Sequence, residues 1–176
     1  MNTKLLSIPL LLLGLTGCAT DTNTPKKEEA SVQPQDVTAE FRTLSDKMTA
    51  AWSTLDPSNA APYYAKDPDL AFFDATPLKY KGWQEYADGF SKAVADWKSM
   101  TITINPDFRA TREGNVVWAT CTAHFEMTPK KGAAKSLDAR MTEIWEKRGD
   151  TWLSVHEHVS VPMPETPAPT PKLKKK

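Results

Sequence analysis

Residues 139–160 constrain the fold more than any other stretch of the chain. Two runs of alternating apolar and polar residues flank Gly149-Asp150, which is the pattern of a long antiparallel hairpin closed by a tight turn. Successive side chains of a strand point to opposite faces. In the second run Leu153, Val155, Glu157, Val159 and Val161 therefore share one face, and Trp152, Ser154, His156, His158 and Ser160 the other. In the first run Ala139, Met141, Glu143 and Trp145 lie together. Each apolar face carries one carboxylate, and the register set by the turn brings Glu143 within direct or diagonal reach of Glu157. Both are expected to look into one cavity.

The residues before this hairpin predict helices first and strands afterwards. Val37, Phe41, Leu44, Met48, Trp52 and Leu55 recur at three- and four-residue steps behind Asp36, and Asp56-Pro57 ends the run, as expected of an amphipathic helix. A short helix is expected around residues 60–65, then a strand over 70–74. Gly82 opens a third helix with the stripe Trp83, Tyr86, Ala87, Phe90, Val94 and Trp97. Residues 100–110, 115–127, 137–147 and 151–161 read as long strands. Three helices followed by antiparallel strands give an α+β fold with the helices on one face of a curved sheet.

The termini carry a different message. Lys4, an apolar run from Leu5 to Leu13, and Leu15-Thr16-Gly17-Cys18 form the charged, hydrophobic and small-residue parts of an export signal, and the run is too short to span a bilayer. The Leu-Thr-Gly-Cys ending resembles the bacterial lipoprotein signal. That resemblance implies cleavage after residue 17, a lipidated Cys18 as the membrane anchor and, with Ala19 following, an outer-membrane site facing the periplasm in a Gram-negative cell. Loss of residues 1–17 removes Lys4 alone, leaving 21 basic against 22 acidic residues, a balance that gives no reason to expect nucleic-acid binding. With Cys18 acylated, Cys121 is the one remaining thiol, so no internal disulfide is expected. Residues 18–35 read as a polar tether and residues 163–176 as a Pro/Lys-rich tail. The tail is either a solvated arm or a contact for an anionic membrane or envelope polymer. The 127 residues from 36 to 162 suffice for one core.

The element order, Ile104-Asn105-Pro106 at the start of the long strands, Thr142-x-x-Trp145, and Trp152-x-x-Val155-His156-x-His158-x-Ser160 together resemble the SnoaL-like branch of the nuclear transport factor 2-like superfamily. This group includes the ketosteroid isomerases and the association domain of calcium/calmodulin-dependent kinase II. The resemblance implies a cone-shaped fold with a pocket at its wide end. In the kinase association domain arginines line that pocket. The matching positions here are Glu143, Val159 and Thr122, so an anion site is not carried over. The isomerase comparison places Asp74 where a general base would stand, whereas the position of its oxyanion donor falls near Met141, which cannot donate.

Two carboxylates in one pocket suit a cationic or hydrogen-bond-donating ligand, or acid and base chemistry, because they cannot both ionise cheaply. Alternatively each pairs with Arg140, Lys147 or another base at the sheet rim, and Asp74 is a strand-end turn residue. For the middle strand the preferred arrangement places Trp118, Thr120, Thr122 and His124 in the pocket beside Met141, Glu143, Glu157 and Val159. Val117, Ala119, Cys121, Ala123 and Phe125 then form an outer strip with His156 and His158, suited to a homodimer interface. If the helices cover the apolar strip, the two faces swap. His156, His158 and His124 have the residue types of a metal site, but the preferred reading is that no metal or cofactor is bound. The leading expectation is a lipid-anchored module that binds a small organic ligand. The alternatives are an isomerase or cyclase using Asp74 or Glu143 as base with Glu157 or His124 as partner, and a dimeric envelope scaffold.

Overall fold

A computed structural model of the chain describes residues 33–163. The signal, Cys18, most of the tether and nearly all of the Pro/Lys tail lie outside the described residues. Strand β1 (Gln35–Asp36) leads into α1 (Thr38–Trp52), α2 (Pro57–Ala60) and a 3-10 turn at Ala61–Tyr63. Next come β2 (Ala71–Phe72), β3 (Tyr80–Lys81) and α3 (Gly82–Ala93). The long strands are β4 (Trp97–Ile104), β5 (Arg109–Glu113), β6 (Val116–Pro129), β7 (Lys135–Arg148) and β8 (Thr151–Ser160). The architecture is α+β, with three helices against a mainly antiparallel sheet.

The helices begin and end where local chemistry dictates. Asp36 Oδ1 accepts from the Thr38 amide at 2.9 Å and so satisfies one free donor at the start of α1. Asp56 does the same for Ser58 at the start of α2, with Pro57 in the first helical position. Along α1, Phe41, Met48 and Trp52 are buried; each contributes about 1.5–3 kcal/mol by leaving water.

The sheet runs β1-β5-β6-β7-β8, and β4 pairs with the far half of β6. The stretch expected as one strand over 100–110 is thus two, broken at Asn105-Pro106. Proline cannot donate to a ladder, and side chains hold the bend. Asn105 Nδ2 donates to Thr122 Oγ1 at 2.8 Å, while Asp107 accepts from the Thr122 amide and hydroxyl at 3.0 and 2.9 Å. Arg42 on α1 donates to the carbonyls of Ile104 and Asn105 at 2.9 and 3.1 Å, tying the helix to the same corner. Thr122, expected in the pocket, is instead a latch for this bend.

Gly149 has φ of +61° at the first position of the two-residue turn between β7 and β8, where glycine carries no steric penalty. From there the register differs from strict alternation. Trp145 faces Ser154 while Ile144 faces His156, so Val155 is the extra residue of a bulge. One extra residue flips the faces on either side of it. Trp152 and Ser154 therefore join Glu157 and Val159 on the helix side, with Trp152 meeting Phe41 edge-on at 5.0 Å, and Leu153 turns outward opposite Glu146. Outside β8, Phe73 donates its amide to Glu157 O at 2.9 Å and accepts from Val159 N at 2.8 Å, a parallel bridge that carries Asp74 to the end of the sheet.

Gly89 in α3 lies under the Tyr80 ring: a Cβ there would stand 2.1 Å from Tyr80 Cε1. On helix propensity alone Gly89→Ala would stabilise by about 1 kcal/mol. Displacing a buried ring costs roughly 1–3 kcal/mol, so the expected result is net destabilisation, read as a lower midpoint in urea.

Candidate functional site

The helices and the concave face of the sheet enclose a cavity of about 180 Å³. Trp52 of α1, Tyr86 and Phe90 of α3, and Val94 form one wall. Trp97, Met100 and Ile102 of β4, Phe125 and Met127 of β6, and Leu137 and Met141 of β7 form the other. Glu157 and Val159 of β8 close the inner end beside Thr49, and residues 74–76 with Val161 stand at the rim. The β6 side chains that face inward are Val117, Ala119, Cys121, Ala123, Phe125 and Met127, because the small residues among them let the helices approach and bury apolar surface.

Several sequence expectations are corrected by this placement. Trp118, Thr120, Thr122 and His124 lie on the opposite face of the sheet from the cavity. The apolar strip from Val117 to Phe125 is covered by the helices and cannot be a dimer surface. Cys121 is within it, and burial pushes its thiol up to about 12. His124 contacts Asp138 at 2.8 Å on the outer face, where His156 and His158 flank Phe73 edge-on. Among the described residues no group of His, Cys, Asp and Glu is arranged to hold a metal ion.

Glu143 and Glu157 are direct cross-strand partners, but only Glu157 lines the cavity. Neither pairs with a base among the described residues, so the alternative of Arg140 or Lys147 as partner is also corrected. Glu143 is 1% exposed. Its Oε2 accepts from Ser45 Oγ at 2.5 Å and Trp145 Nε1 at 2.9 Å, and its Oε1 has no partner among the described residues. Burial raises its pKa, against those two hydrogen bonds. Glu157, 2% exposed, accepts from Tyr64 at Oε2 and Tyr86 at Oε1, each at 2.6 Å. Trp52 Nε1 in turn donates to Tyr64 Oη at 2.8 Å. Burial is the main cause that pushes Glu157 up to about 7, with the two phenols opposing it and the charges of Glu143 and Asp74 adding to it.

Asp74 lines the same cavity, half-buried. Its Oδ1 accepts from the Ala75 amide at 2.6 Å, and burial raises its pKa. No other charged side chain lines the cavity among the described residues. Apart from Thr76 at the rim, the lining side-chain donors are already committed: Tyr86 to Glu157, Trp52 to Tyr64, Trp97 to Ala93 O and Thr49 to Asp46 O. Sequence reasoning found Asp74, Met141, Glu157 and Val159 as cavity residues but missed Tyr64 and Tyr86. Tyr86 stood in the apolar stripe of α3, which signals burial and not a hydrogen-bond partner 71 residues away.

The fold is shared with known structures. A nuclear transport factor 2-like superfamily protein from Salmonella enterica serovar Typhimurium is 18% identical, with a TM-score of 0.66 over 79% of this chain and 96% of that one. A putative dehydratase of the same superfamily from Streptomyces avermitilis is 12% identical, with a TM-score of 0.63 over 72% and 96%. A putative calcium/calmodulin-dependent protein kinase II association domain from Xanthomonas campestris is 24% identical, with a TM-score of 0.54 over 72% and 88%. At such identities the likeness is one of fold. No curated protein matches the sequence. A model of the SnoaL-like domain family matches residues 41–164, and the chain therefore belongs to the SnoaL-like domain family, with the fold seen in nuclear transport factor 2-like proteins.

Proposed function

We infer that this protein is an exported lipoprotein, anchored through Cys18, whose SnoaL-like domain binds a small organic ligand. The observation that carries the ligand reading is the cavity itself: apolar and aromatic walls with one carboxyl group at the inner end and a second at the rim, the usual composition of a small-molecule site. The lipoprotein part is supported by the sequence from Lys4 to Cys18, and in a Gram-negative cell this reading puts the domain at the outer membrane, facing the periplasm. Among the described residues no helix is long and apolar enough to cross a membrane. The homodimer reading moves to the outer sheet face, where Val116 and Trp118 each leave 39% of their surface exposed. The Lys-rich tail supports a contact with an anionic envelope polymer.

Catalysis is the second reading, favoured by Asp74 and Glu157 in one cavity with raised pKa values. It is weaker because a base abstracting a proton beside a carbonyl needs a free donor for the developing oxyanion. Among the described lining residues only Thr76, at the exposed rim, keeps an uncommitted hydroxyl.

The test is mass spectrometry of the full chain expressed in a Gram-negative host. Wild type is expected in the membrane fraction with a lipidated Cys18 and a retained small-molecule mass; Cys18→Ser should leave the membrane. Ala93→Trp, at an exposed rim position, should plug the mouth and lose the extra mass while remaining folded. A wild type without lipid sinks the anchor. A bound mass unaffected by Ala93→Trp places the ligand elsewhere.

A further inference from the structure

Resting on the reading of the cavity as a ligand site, we propose that it selects small apolar amines, binding the ammonium at Asp74 and Glu157 and the hydrocarbon body against the aromatic walls. Charge supplies the first argument. The charged side chains that line the cavity are both acids, and no Lys, Arg or His stands among them. An anionic ligand would bring a third negative charge into an enclosure that already raises the pKa of both carboxyls by burial.

Hydrogen-bond inventory supplies the second. The phenol, indole and Thr49 hydroxyl donors of the lining are occupied within the protein, so away from the Thr76 hydroxyl at the rim a ligand whose polar group only accepts would enter unsatisfied, at a penalty. Acceptor capacity, by contrast, is spare. Asp74 Oδ2 has no protein partner among the described residues, and each Glu157 oxygen holds one phenol and retains lone-pair capacity. An ammonium has three donors and no acceptor, which is the complement of this set. The walls match as well. Trp52, Tyr86, Phe90 and Trp97 line the same cavity as the two acids, and aromatic faces attract ammonium groups most strongly where water is excluded. The volume of about 180 Å³ limits the body to about a single ring or short chain.

The experiment titrates 3-phenylpropylamine, 3-phenylpropan-1-ol and 3-phenylpropanoate calorimetrically into full-length protein held in lipid nanodiscs, so that no detergent competes for the cavity. At about pH 8 the amine is protonated and Glu157 largely ionised. The expected result is an amine bound roughly tenfold or more tighter than the alcohol, with the carboxylate weakest. Asp74→Asn and, separately, Glu157→Gln should each cut the amine-to-alcohol ratio several-fold, with thermal unfolding confirming that the variants are folded. Asp138→Asn, on the outer face, should leave the ratio unchanged. If the alcohol or the carboxylate binds as tightly as the amine, or if Asp138→Asn narrows the ratio as much as Asp74→Asn, selection by the cavity acids is wrong while the ligand-site reading stands. If all three compounds fail at millimolar concentration while wild-type protein still carries a bound mass that Ala93→Trp removes, the amine inference alone fails; if no mass is carried either, the ligand-site reading fails with it.

Discussion

Trp52→Ala is expected to remove about 3–5 kcal/mol of stability, a large part of the 5–15 kcal/mol typical of a domain. Trp52 is 4% exposed and its ring meets four others: Tyr64 at 5.6 Å, Trp83 at 5.7 Å, Tyr86 at 5.1 Å and Phe90 at 4.4 Å between centroids. It thereby joins α1, α3 and the segment before β2. Its indole also donates to Tyr64 Oη, whose own proton goes to Glu157, so one residue supports both the core and the acidic end of the cavity. Trp52→Phe separates the two roles. It keeps most of the buried ring and loses one neutral hydrogen bond, which places its cost at about 1–2 kcal/mol. Urea unfolding of the three proteins checks this. A Trp52→Ala protein within about 1 kcal/mol of wild type would mean that the aromatic cluster is not the centre of the core. A Trp52→Phe protein as unstable as Trp52→Ala would give the hydrogen-bond relay the greater weight.

The features that were legible in the sequence were those whose cause is local. Alternation on both sides of Gly149-Asp150 located the last hairpin, and three- and four-residue steps located α1 and α3, because each pattern is the direct imprint of one element burying one face. The direction of the β6 faces was not legible. Val117 through Phe125 and Trp118 through His124 are both credible inner faces until it is known which one the helices cover, and that depends on contacts far along the chain. The bulge at Val155 was hidden for another reason: an extra residue changes the phase of alternation without changing composition, so Trp152 and Ser154 read as outward and Leu153 as inward. At the site, Glu143 and Glu157 were found as odd carboxylates on apolar faces, and their pairing was anticipated. Their separate fates were not. Ser45 and Trp145 enclose Glu143, while Tyr64 and Tyr86 hold Glu157 at the cavity wall; Ser45, Tyr64 and Tyr86 lie 98, 93 and 71 residues from their carboxylates, and such separations leave no periodic trace.

The stability of the domain should fall as pH rises from about 5 to about 8, opposite to what its exposed acids would give. Glu157 is ordinarily half-protonated at 4.5 and burial moves it to about 7 in the folded chain. Between those values the native state holds a proton that the unfolded state has released, so unfolding becomes easier with every step up in pH. Integrated over that window Glu157 alone contributes a loss of about 3 kcal/mol. Glu143 and Asp74, both raised by burial, act in the same direction. Asp36, Asp56, Asp67 and Asp107 have lowered values, chiefly through hydrogen bonds to Thr38, Ser58, Arg148 and Thr122. Their stabilisation is lost only as pH falls below about 4 and leaves the window from 5 to 8 clear. Glu157→Gln keeps one carbonyl to accept from one of the two phenols, which in the wild type donate to different oxygens, and has no proton to lose. The variant is expected to be less stable than wild type near pH 5, where its amide lacks an acceptor, and to lose most of the decline toward pH 8. Urea midpoints of both proteins at the two pH values decide the matter. A wild type that gains stability from pH 5 to pH 8 would show that Tyr64, Tyr86 and water reaching the cavity solvate the Glu157 carboxylate well enough to keep it ionised. A decline that survives in Glu157→Gln would assign the buried proton to Glu143, whose Oε1 stands without a partner.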